Sequence, residues 1–324
     1  MEVPTAETSP PRTLIVAIGT VASSWTLFPS GKSVIRVHPY ETMAESSSVI
    51  NVEYKGRLAI ITINNEKKLN ALSQMQYYHL AQRLREVATH DEVYITLIIG
   101  TGRYFSAGAD VSVSKSNDGI PQPEGLSTQD AIHNHWLRNF VANNLNITQA
   151  FYTHPKILIV GLNGPVIGLS AALVSFADFI YCVPSTFLLT PFSSLGLVAE
   201  GGASRGLVQR LGLAKANEAL IMSKRITKEE LVQTGFVTKC FEEVGKGETD
   251  KFKGLVLKEI EERLGDHLVG DSLLGIKSLI RRPERDVYDG QNVAEVMAGL
   301  DRFVSGVPQG EFEKIASGKK RHKL

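Results

Sequence analysis

The chain has 324 residues, 43% of them hydrophobic and 21% charged, which is ordinary for a soluble protein of one large or two smaller domains. The formal net charge of +1 gives no reason to expect a nucleic-acid partner or a charged membrane surface. The two cysteines, Cys182 and Cys240, show no metal-ligand spacing and are too few for a disulfide framework, so we expect reduced structural thiols.

The N-terminal segment is distinct from the rest of the chain. Residues 13–28 are mostly apolar, but this run is shorter than the ~20 residues that a membrane-spanning helix needs. The segment also lacks the basic start of a signal peptide, because Glu2 and Glu7 precede Arg12. We therefore expect no membrane span, and we treat residues 1–46 as a disordered extension outside the folded protein.

A regular pattern of strands and helices follows. Alternating apolar residues, a glycine-containing turn and a second apolar run predict a β-hairpin. Ser73 and Gln76 have the spacing of a capping box, which predicts the start of a helix. Further along, apolar runs alternate with helical segments, and this predicts an α/β fold. The predicted strands are 50–54, Leu58–Ile63, Tyr94–Ile99, Lys156–Val160, Phe179–Val183 and Thr186–Leu189, and the predicted helices begin at Ser73, Ser127 and Gly168.

The chain changes character near Gly245, after which it is predominantly helical with no strong strand pattern. We therefore divide the folded part into an α/β core, residues 47–245, and a helical region, residues 246–318. Within the core, residues 111–126 are polar and contain glycine and proline, which predicts a mobile surface loop. Asp178 is expected to be a structural carboxylate near a helix end.

Two glycine-containing turns, Tyr104–Asp110 and Leu162–Ala172, each follow a predicted buried strand. Small residues at a strand end expose backbone N–H groups, and the start of a helix adds more. If the fold brings the turns together, two N–H groups can point at one oxygen atom, as an oxyanion hole requires. The alternative is that both are ordinary strand-to-helix turns whose glycines serve positive φ angles or close packing.

A third glycine-rich stretch, Leu195–Ser204, contains one carboxylate, Glu200, among small and apolar residues. If the fold buries Glu200, loss of hydration would disfavour its charged form and suit it to proton transfer. The alternative is a solvated loop glutamate, since glutamate is rarely fully buried.

Five segments in register carry a more specific pattern: Asn64–Leu72, Phe105–Asp110, Lys156–Pro165, Pro191–Gly202 and Ile226–Val237. Together they resemble the crotonase (enoyl-CoA hydratase/isomerase) superfamily over roughly residues 49–237. The resemblance implies a crotonase-type ββα spiral core. It also implies that the helical region mediates oligomerisation, as a homotrimer or homohexamer.

The same resemblance implies an acyl-CoA thioester as the substrate. The N–H groups of Ala109 and Leu169 would bind the thioester carbonyl oxygen, and two loops would contact the coenzyme A moiety, mostly through backbone atoms. No cofactor or metal is implied, because coenzyme A is part of the substrate. The residues implied in substrate binding are Lys68, Leu69, Ala71, Leu72, Ala107, Gly108, Ala109, Asp110, Val111 and Asn144.

Two departures from the family pattern indicate an isomerase rather than a hydratase. Family hydratases carry two glutamates that activate water, and this chain has Ala172 and Phe192 at those positions. Glu200 is the one carboxylate left in the later loop, a placement similar to that in fungal peroxisomal 3,2-enoyl-CoA isomerases. The implied reaction moves the double bond of a 3-enoyl-CoA to the 2-trans position during β-oxidation of unsaturated fatty acids. Glu200 would remove a proton at C2 and return one at C4.

Two of the implied site residues have alternative interpretations. Asn144 matches in position an asparagine that lines the active site of such isomerases, but a helix-surface amide explains it equally well. Asp110 is better suited to capping or orienting its own turn than to chemistry.

The chain ends in a basic run, residues 319–324. His322, Lys323 and Leu324 keep the basic and leucine positions of a Ser-Lys-Leu type tripeptide. This predicts a peroxisomal import receptor as a partner and the peroxisome as the location, whereas the alternative is a solubilising tail.

Two functions other than 3-enoyl-CoA isomerisation also remain open. One is dienoyl-CoA isomerisation, which commonly needs an additional carboxylate that the sequence does not identify, and the other is a non-catalytic acyl-CoA-binding subunit.

Overall fold

The computed structural model describes residues 49–110 and 117–321 of the chain. The predicted extension, residues 1–46, lies outside the described residues. So do Val111, with the rest of 111–116, and the tail residues His322, Lys323 and Leu324. Within the described part, no helix is both long and apolar enough to cross a membrane.

The strands form two sheets. In chain order they are β1 (Ile50–Lys55), β2 (Leu58–Ile63), β3 (Ile95–Gly100), β4 (Ile157–Leu162), β5 (Val166–Ile167), β6 (Phe179–Cys182), β7 (Phe187–Leu189), β8 (Ile226–Thr227) and β9 (Lys239–Cys240). The larger sheet has the order β1-β2-β3-β4-β6-β9, and the smaller has the order β5-β7-β8. β1 and β2 are the predicted antiparallel hairpin, and all later pairs of the larger sheet are parallel. β3 and β4 are buried along their whole length, which agrees with their continuous apolar sequences.

The helices predicted at Ser73, Ser127 and Gly168 are present. The Ser73 hydroxyl accepts a hydrogen bond from the Gln76 N–H, and the Gln76 side chain accepts from the Ser73 N–H, so the capping box is complete. A π-helix (Leu137–Val141) joins the second helix to the third. The helices are α1 (Gln74–Ala88), α2 (Thr128–Trp136), α3 (Ala142–Tyr152), α4 (Gly168–Leu173), α5 (Ala203–Leu211), α6 (Leu213–Leu220), α7 (Lys228–Gln233), α8 (Thr249–Leu264), α9 (Gly270–Arg281), α10 (Arg285–Val304) and α11 (Val307–Ala316).

Alternate residues of the larger sheet face two different hydrophobic cores. Leu97 and Ile159 pack in a core that contains Phe252 of α8. Ile98 and Val160 face the opposite way, into a larger core that α1 and α3 complete. This alternation follows from the two-residue period of a strand. Burial of each such side chain favours folding by about 1.5–3 kcal/mol.

The region after residue 245 is helical, as predicted, and part of it packs on the α/β core. Phe303 of α10 stacks on Trp136 with ring centroids 4.6 Å apart, and its ring lies 4.5 Å from that of Phe140. These three aromatic residues belong to a third core, which also contains Phe312 of α11. The C-terminal helices therefore cover α2 and the π-helix, which lead directly into α3.

The predicted mobile loop, residues 111–126, needs correction at Asn117. The Asn117 side chain donates to the carbonyl groups of Phe303 and Val304, at 3.3 and 3.2 Å. Its oxygen accepts from the Trp136 indole at 2.9 Å and from Gln309 at 3.0 Å. Asn117 thus contacts α2, α10 and α11, and a prediction from local polarity could not include these distant partners.

Asp178 is a structural carboxylate, as predicted. It accepts from the Leu158 N–H at 2.8 Å and forms ion pairs with Lys277 at 2.7 Å and Arg281 at 2.8 Å, so it ties α9 to the sheet. The cysteines, Cys182 and Cys240, are both free and are neighbours across β6 and β9.

Candidate active site

The two glycine-containing turns lie side by side. The Ile167 N–H donates to the Ser106 carbonyl at 2.9 Å, and the Ser106 N–H donates to the Pro165 carbonyl at 3.3 Å. Gly108 has a φ of +90°, and a Cβ at this position would lie 2.9 Å from the Ile167 carbonyl oxygen. Only glycine fits here, both for its backbone conformation and for the close approach of the second turn.

The backbone N–H of Ala109 faces away from the neighbouring loop. The Leu72 N–H donates to the Gly108 carbonyl and the Asp110 N–H donates to the Leu72 carbonyl, each at 2.9 Å. In a parallel bridge of this kind the residues on either side, Gly108 and Asp110, form the hydrogen bonds to Leu72. The residue between them, Ala109, points its N–H and carbonyl groups away from Leu72. No described residue accepts a hydrogen bond from the Ala109 N–H.

The N–H of Leu169 is also left without an acceptor among the described residues. Leu169 is the second residue of α4, and the first four N–H groups of a helix have no partner within the helix. The carbonyl of Pro165 is occupied, since it accepts from the N–H groups of Phe105 and Ser106. Two free amides on adjoining turns are what the predicted oxyanion hole requires, and the assignment of Ala109 and Leu169 to this role stays a prediction.

A buried chain of hydroxyl groups lies beneath these turns. The Tyr77 and Ser170 hydroxyls are 2.9 Å apart, as are those of Ser170 and Ser106. The Ser106 hydroxyl donates to the Asn70 carbonyl at 2.8 Å, so it must accept from Ser170, which in turn accepts from Tyr77. Burial raises the pKa of Tyr77, which keeps this donor protonated. The chain connects α1 with both turns, and no local sequence pattern signals it.

Glu200 is buried, with 7% of its surface exposed. Its Oε2 accepts a hydrogen bond from the Asn144 side chain at 3.1 Å, whereas its Oε1 is buried and has no partner among the described residues. Burial raises the pKa of Glu200 to about 8; the Asn144 bond lowers it in part and the charge of Glu295 raises it further. A carboxylate with one unpartnered oxygen and a pKa near neutrality is suited to proton transfer.

The loop around Glu200 packs against the second turn. Gly201 has a φ of +67°, and a Cβ there would lie 2.6 Å from Leu169 Cδ1 and 3.0 Å from Ala172 Cβ. The residue that follows Glu200 thus contacts α4, whose second residue, Leu169, has the free amide. Ala172 and Phe192, the two positions at which the resemblance implies glutamates in hydratases, are both buried.

Asn144 lies at the site rather than on a helix surface. It is 5% exposed and donates to Glu200, and its own oxygen accepts from the Thr148 hydroxyl at 3.4 Å. The π-helix directly precedes α3, which carries Asn144, and such irregular turns are frequent at functional sites. The sequence leaves both interpretations of Asn144 open, because the face that a helix residue occupies depends on tertiary packing.

The predicted coenzyme A contacts form one group. The Ala107 N–H donates to the Leu69 carbonyl at 2.9 Å, and Leu72 bridges Ala109, so the two loops adjoin. Lys68 forms an ion pair with Asp110 at 2.7 Å. This pair assigns Asp110 a role in holding the two loops together. The structure brings together Lys68, Leu69, Ala71, Leu72, Ala107, Gly108, Ala109 and Asp110, and it places Asn144 with Glu200.

The raised pKa of Glu200 predicts opposite pH dependences for activity and stability. We expect kcat/KM to rise with pH and level off above about pH 8, because the base must lose its proton before it can accept one. The folded protein holds this proton more tightly than the unfolded chain, in which the pKa is near 4.5. The free energy of unfolding should therefore decrease as pH rises from about 4.5 to about 8.

A glutamine at position 200 removes this titration. Relative to the wild type, Glu200→Gln should gain thermal stability above about pH 8 and show little difference near pH 4.5. Thermal unfolding of both proteins at several pH values, together with a kcat/KM profile of the wild type, tests this. A flat activity profile between pH 6 and 9 would contradict the assignment of this pKa.

Comparisons with known proteins agree with this architecture. The sequence model of the family described as enoyl-CoA hydratase/isomerase matches residues 53–246. A crystal structure of an enoyl-CoA hydratase/isomerase from Pseudoalteromonas atlantica T6c superposes with a TM-score of 0.68. It covers 85% of this chain and 100% of that chain at 24% identity, which shows the fold alone.

Two fungal relatives have specific names. A Pyricularia oryzae protein named Delta(3,5)-Delta(2,4)-dienoyl-CoA isomerase is 67% identical over 86% of this chain and 100% of its own length. A Saccharomyces cerevisiae protein named 3,2-trans-enoyl-CoA isomerase is 34% identical over 85% of this chain and 96% of its own length. Both names describe isomerases of unsaturated acyl-CoA thioesters, but they differ in the double bond that moves.

Proposed function

This chain belongs to the enoyl-CoA hydratase/isomerase family, and from its site we propose that it is an enoyl-CoA isomerase that converts 3-enoyl-CoA to 2-trans-enoyl-CoA. The observation that carries the proposal is Glu200, a buried carboxylate with one unpartnered oxygen beside two adjoining turns with free amides. Ala172 and Phe192 cannot activate water, so the arrangement favours isomerisation over hydration. We propose that the reaction acts in the β-oxidation of unsaturated fatty acids.

The proposed mechanism uses one base and two hydrogen-bond donors. Glu200 removes a proton from C2, and the electron pair delocalises through the C3=C4 double bond and the thioester carbonyl. The N–H groups of Ala109 and Leu169 stabilise the negative charge on the carbonyl oxygen, a contribution typically worth about 3–4 kcal/mol for each donor. Glu200 then returns the proton to C4, which leaves the double bond between C2 and C3.

The surroundings of Glu200 suit a proton that stays with the enzyme. Leu197, Val198 and Ala199 precede the base, and all three are only partly exposed. A dry site limits exchange of the bound proton with water. No cofactor is needed, because the coenzyme A of the substrate supplies the thioester that acidifies C2.

Dienoyl-CoA isomerisation is the second candidate, and the 67% identity to the Pyricularia oryzae protein favours it. That reaction moves a proton from C2 to C6, four bonds away rather than two, and a second acid or base group helps to span this distance. Among the described residues, the charge of Glu295 raises the pKa of Glu200, but the Glu295 carboxylate accepts its hydrogen bonds from the Gly202 N–H and from the N–H and hydroxyl of Ser204. The geometry therefore favours the shorter proton transfer.

Parallel assays on two thioesters test the proposal. The purified protein should convert 3-enoyl-CoA with a higher kcat/KM than 3,5-dienoyl-CoA. The reverse preference would assign the dienoyl reaction, and binding without turnover of either would indicate a non-catalytic acyl-CoA-binding subunit. In deuterated water, transfer by a single shielded base should leave a measurable share of the product unlabelled at C4, whereas complete labelling would contradict this mechanism.

We propose a peroxisomal location on the basis of the C-terminal tripeptide His322, Lys323 and Leu324. A leucine at the end and a lysine before it are the elements that an import receptor reads in Ser-Lys-Leu type signals. A fluorescent protein that carries only residues 319–324 should enter peroxisomes of a fungal cell. A cytosolic signal from this reporter would contradict the proposal.

We also propose that copies of this chain associate as a homotrimer or homohexamer. Ile276, Leu279 and Ile280 have the spacing of one face of α9, and each is more than half exposed, at 57%, 69% and 66%. An apolar helix face of this kind is typical of an interface between subunits. Sedimentation should give three or six chains, and Leu279→Asp should lower that number. A wild-type monomer at micromolar concentration would contradict the proposal.

A further inference from the structure

Glu295 is a buried carboxylate of the helical region that contacts the loop carrying the proposed base. It lies on α10 and is 4% exposed. Its Oε2 accepts a hydrogen bond from the Gly202 N–H at 2.6 Å, and its Oε1 accepts from the Ser204 N–H at 2.8 Å and from the Ser204 hydroxyl. One side chain thus binds Gly202, two residues after Glu200, and Ser204, in the first turn of α5.

Burial raises the pKa of Glu295, but all three groups that contact it are donors, which favour its ionised form. Gln291 donates to the Ser204 hydroxyl oxygen at 2.7 Å, so the Ser204 hydroxyl has its own proton free for Glu295. The two N–H groups belong to the start of α5, where the helix dipole favours a negative charge. Gly202 is the N-cap residue of α5 and has no side chain to satisfy these groups, so Glu295 supplies the missing cap from another helix.

We propose that Glu295 is a positioning residue that fixes the backbone of the base loop and thereby the Glu200 carboxylate. Gly201 and Gly202 follow the base directly and have φ values of +67° and +73°. Two consecutive glycines allow wide rotation about the backbone, so a loop held only through the Glu200 side chain would move. Asn144 holds the carboxylate at one end and Glu295 holds the backbone two residues later. This inference rests on the proposed function, in which Glu200 transfers the proton.

The position of Glu295 also has an electrostatic consequence, because its negative charge contributes to the raised pKa of Glu200. Helix α3, which packs against α10, has no Asp, Glu, Lys or Arg. On α5, Arg205 is paired with Glu284 at 2.8 Å. No described group forms an ion pair with Glu295. The other titratable groups on elements packed against α10 are Asp130, His133, His135, Arg138, Tyr152, Arg210, Arg282, Glu311, Glu313 and Lys314.

Two substitutions distinguish the effect of the negative charge of Glu295 from the effect of its side-chain length. Glu295→Gln removes the charge and places an amide donor against an N–H donor, so kcat should fall about tenfold with KM little changed. Because the negative charge no longer raises the pKa of Glu200, the acid limb of the kcat/KM profile should move to lower pH. Glu295→Asp keeps the charge on a shorter side chain, so kcat should fall while the acid limb stays in place. Glu284→Gln is the matched control, because it removes a nearby carboxylate that does not contact the base loop, and it should change neither quantity.

Infrared difference spectra give a second measurement that does not depend on turnover. The carboxyl band that is present in the wild type and absent in Glu200→Gln reports the protonation of Glu200. In the Glu295→Gln variant, which retains Glu200, the midpoint of this band's titration should lie at lower pH than in the wild type. Wild-type kcat in Glu295→Asp, or an unchanged Glu200 titration in Glu295→Gln, would overturn the proposal. If Glu295→Gln does not fold, kcat of Glu295→Asp decides. If the wild type is not an isomerase, the proposed function fails while the infrared titration still decides the role of Glu295.

Discussion

Replacement of Glu200 by glutamine should lower kcat on 3-enoyl-CoA by about 10²–10⁴-fold and leave KM nearly unchanged. Glutamine has the same shape and still offers an oxygen to the Asn144 amide, which lies 3.1 Å from the carboxylate in the wild type. It cannot accept a proton from C2, however, and the proposed mechanism uses no second base. Steady-state kinetics over a range of substrate concentrations separate the two parameters.

The control for this prediction is a carboxylate that lies outside the candidate active site. Glu259 on α8 is paired with Lys239, and its side chain is 11% exposed, so it is comparably shielded. Glu259→Gln should keep the wild-type kcat. If Glu200→Gln retained more than about a tenth of the wild-type kcat, another group would have to transfer the proton.

Substitution of alanine for Gly108 should also lower kcat by about 10²–10³-fold, because it should displace one oxyanion donor. The new Cβ would lie 2.9 Å from the Ile167 carbonyl oxygen and 3.3 Å from the Ile167 carbonyl carbon, which are backbone atoms of the second turn. Relief of this clash must separate the turns that present the Ala109 and Leu169 amides. The same kinetics measure the loss, and thermal unfolding shows whether the protein still folds.

Gly247→Ala is the matched control for backbone strain. Gly247 has a φ of +84°, close to the +90° of Gly108, and a Cβ there would meet no atom within 4 Å. Both substitutions place alanine in an unfavourable backbone region, at a cost of about 1–3 kcal/mol. Gly247→Ala should therefore lose stability but keep kcat. Equal kcat in both variants would contradict an oxyanion role for the first turn.

Much of the fold follows from local sequence patterns. The predicted strand Tyr94–Ile99 is β3 (Ile95–Gly100), and the helix predicted at Ser73 begins there with its capping box. Both depend on residues close together in the chain, where periodicity and capping act directly. The sequence left open whether the two glycine-containing turns adjoin, and the pairing of β3 with β4 brings them together.

The remaining features of the site depend on contacts between distant residues. The burial of Glu200 and its bond to Asn144 could be stated only as alternatives, because tertiary packing decides both. The bond between Tyr77 and Ser170 joins residues 93 apart in sequence, and a lone tyrosine on a helix gives no indication of a partner. Glu295 was missed altogether, since a glutamate in an amphipathic helix is normally solvated.

The hydrogen bond from Gly202 to Glu295 has a consequence for the way the protein is made, since it joins residues 93 apart in the chain. Synthesis on the ribosome proceeds from the N-terminus, and folding generally follows the same order. A nascent chain that ends before α10 already contains Glu200, the proposed base, and the two turns proposed to bind the carbonyl oxygen, but the segment after Glu200 lacks the contacts of Glu295. If Glu295 positions the proposed base, catalytic competence should be one of the last properties that the growing polypeptide acquires, and chains that end before α10 should be inactive.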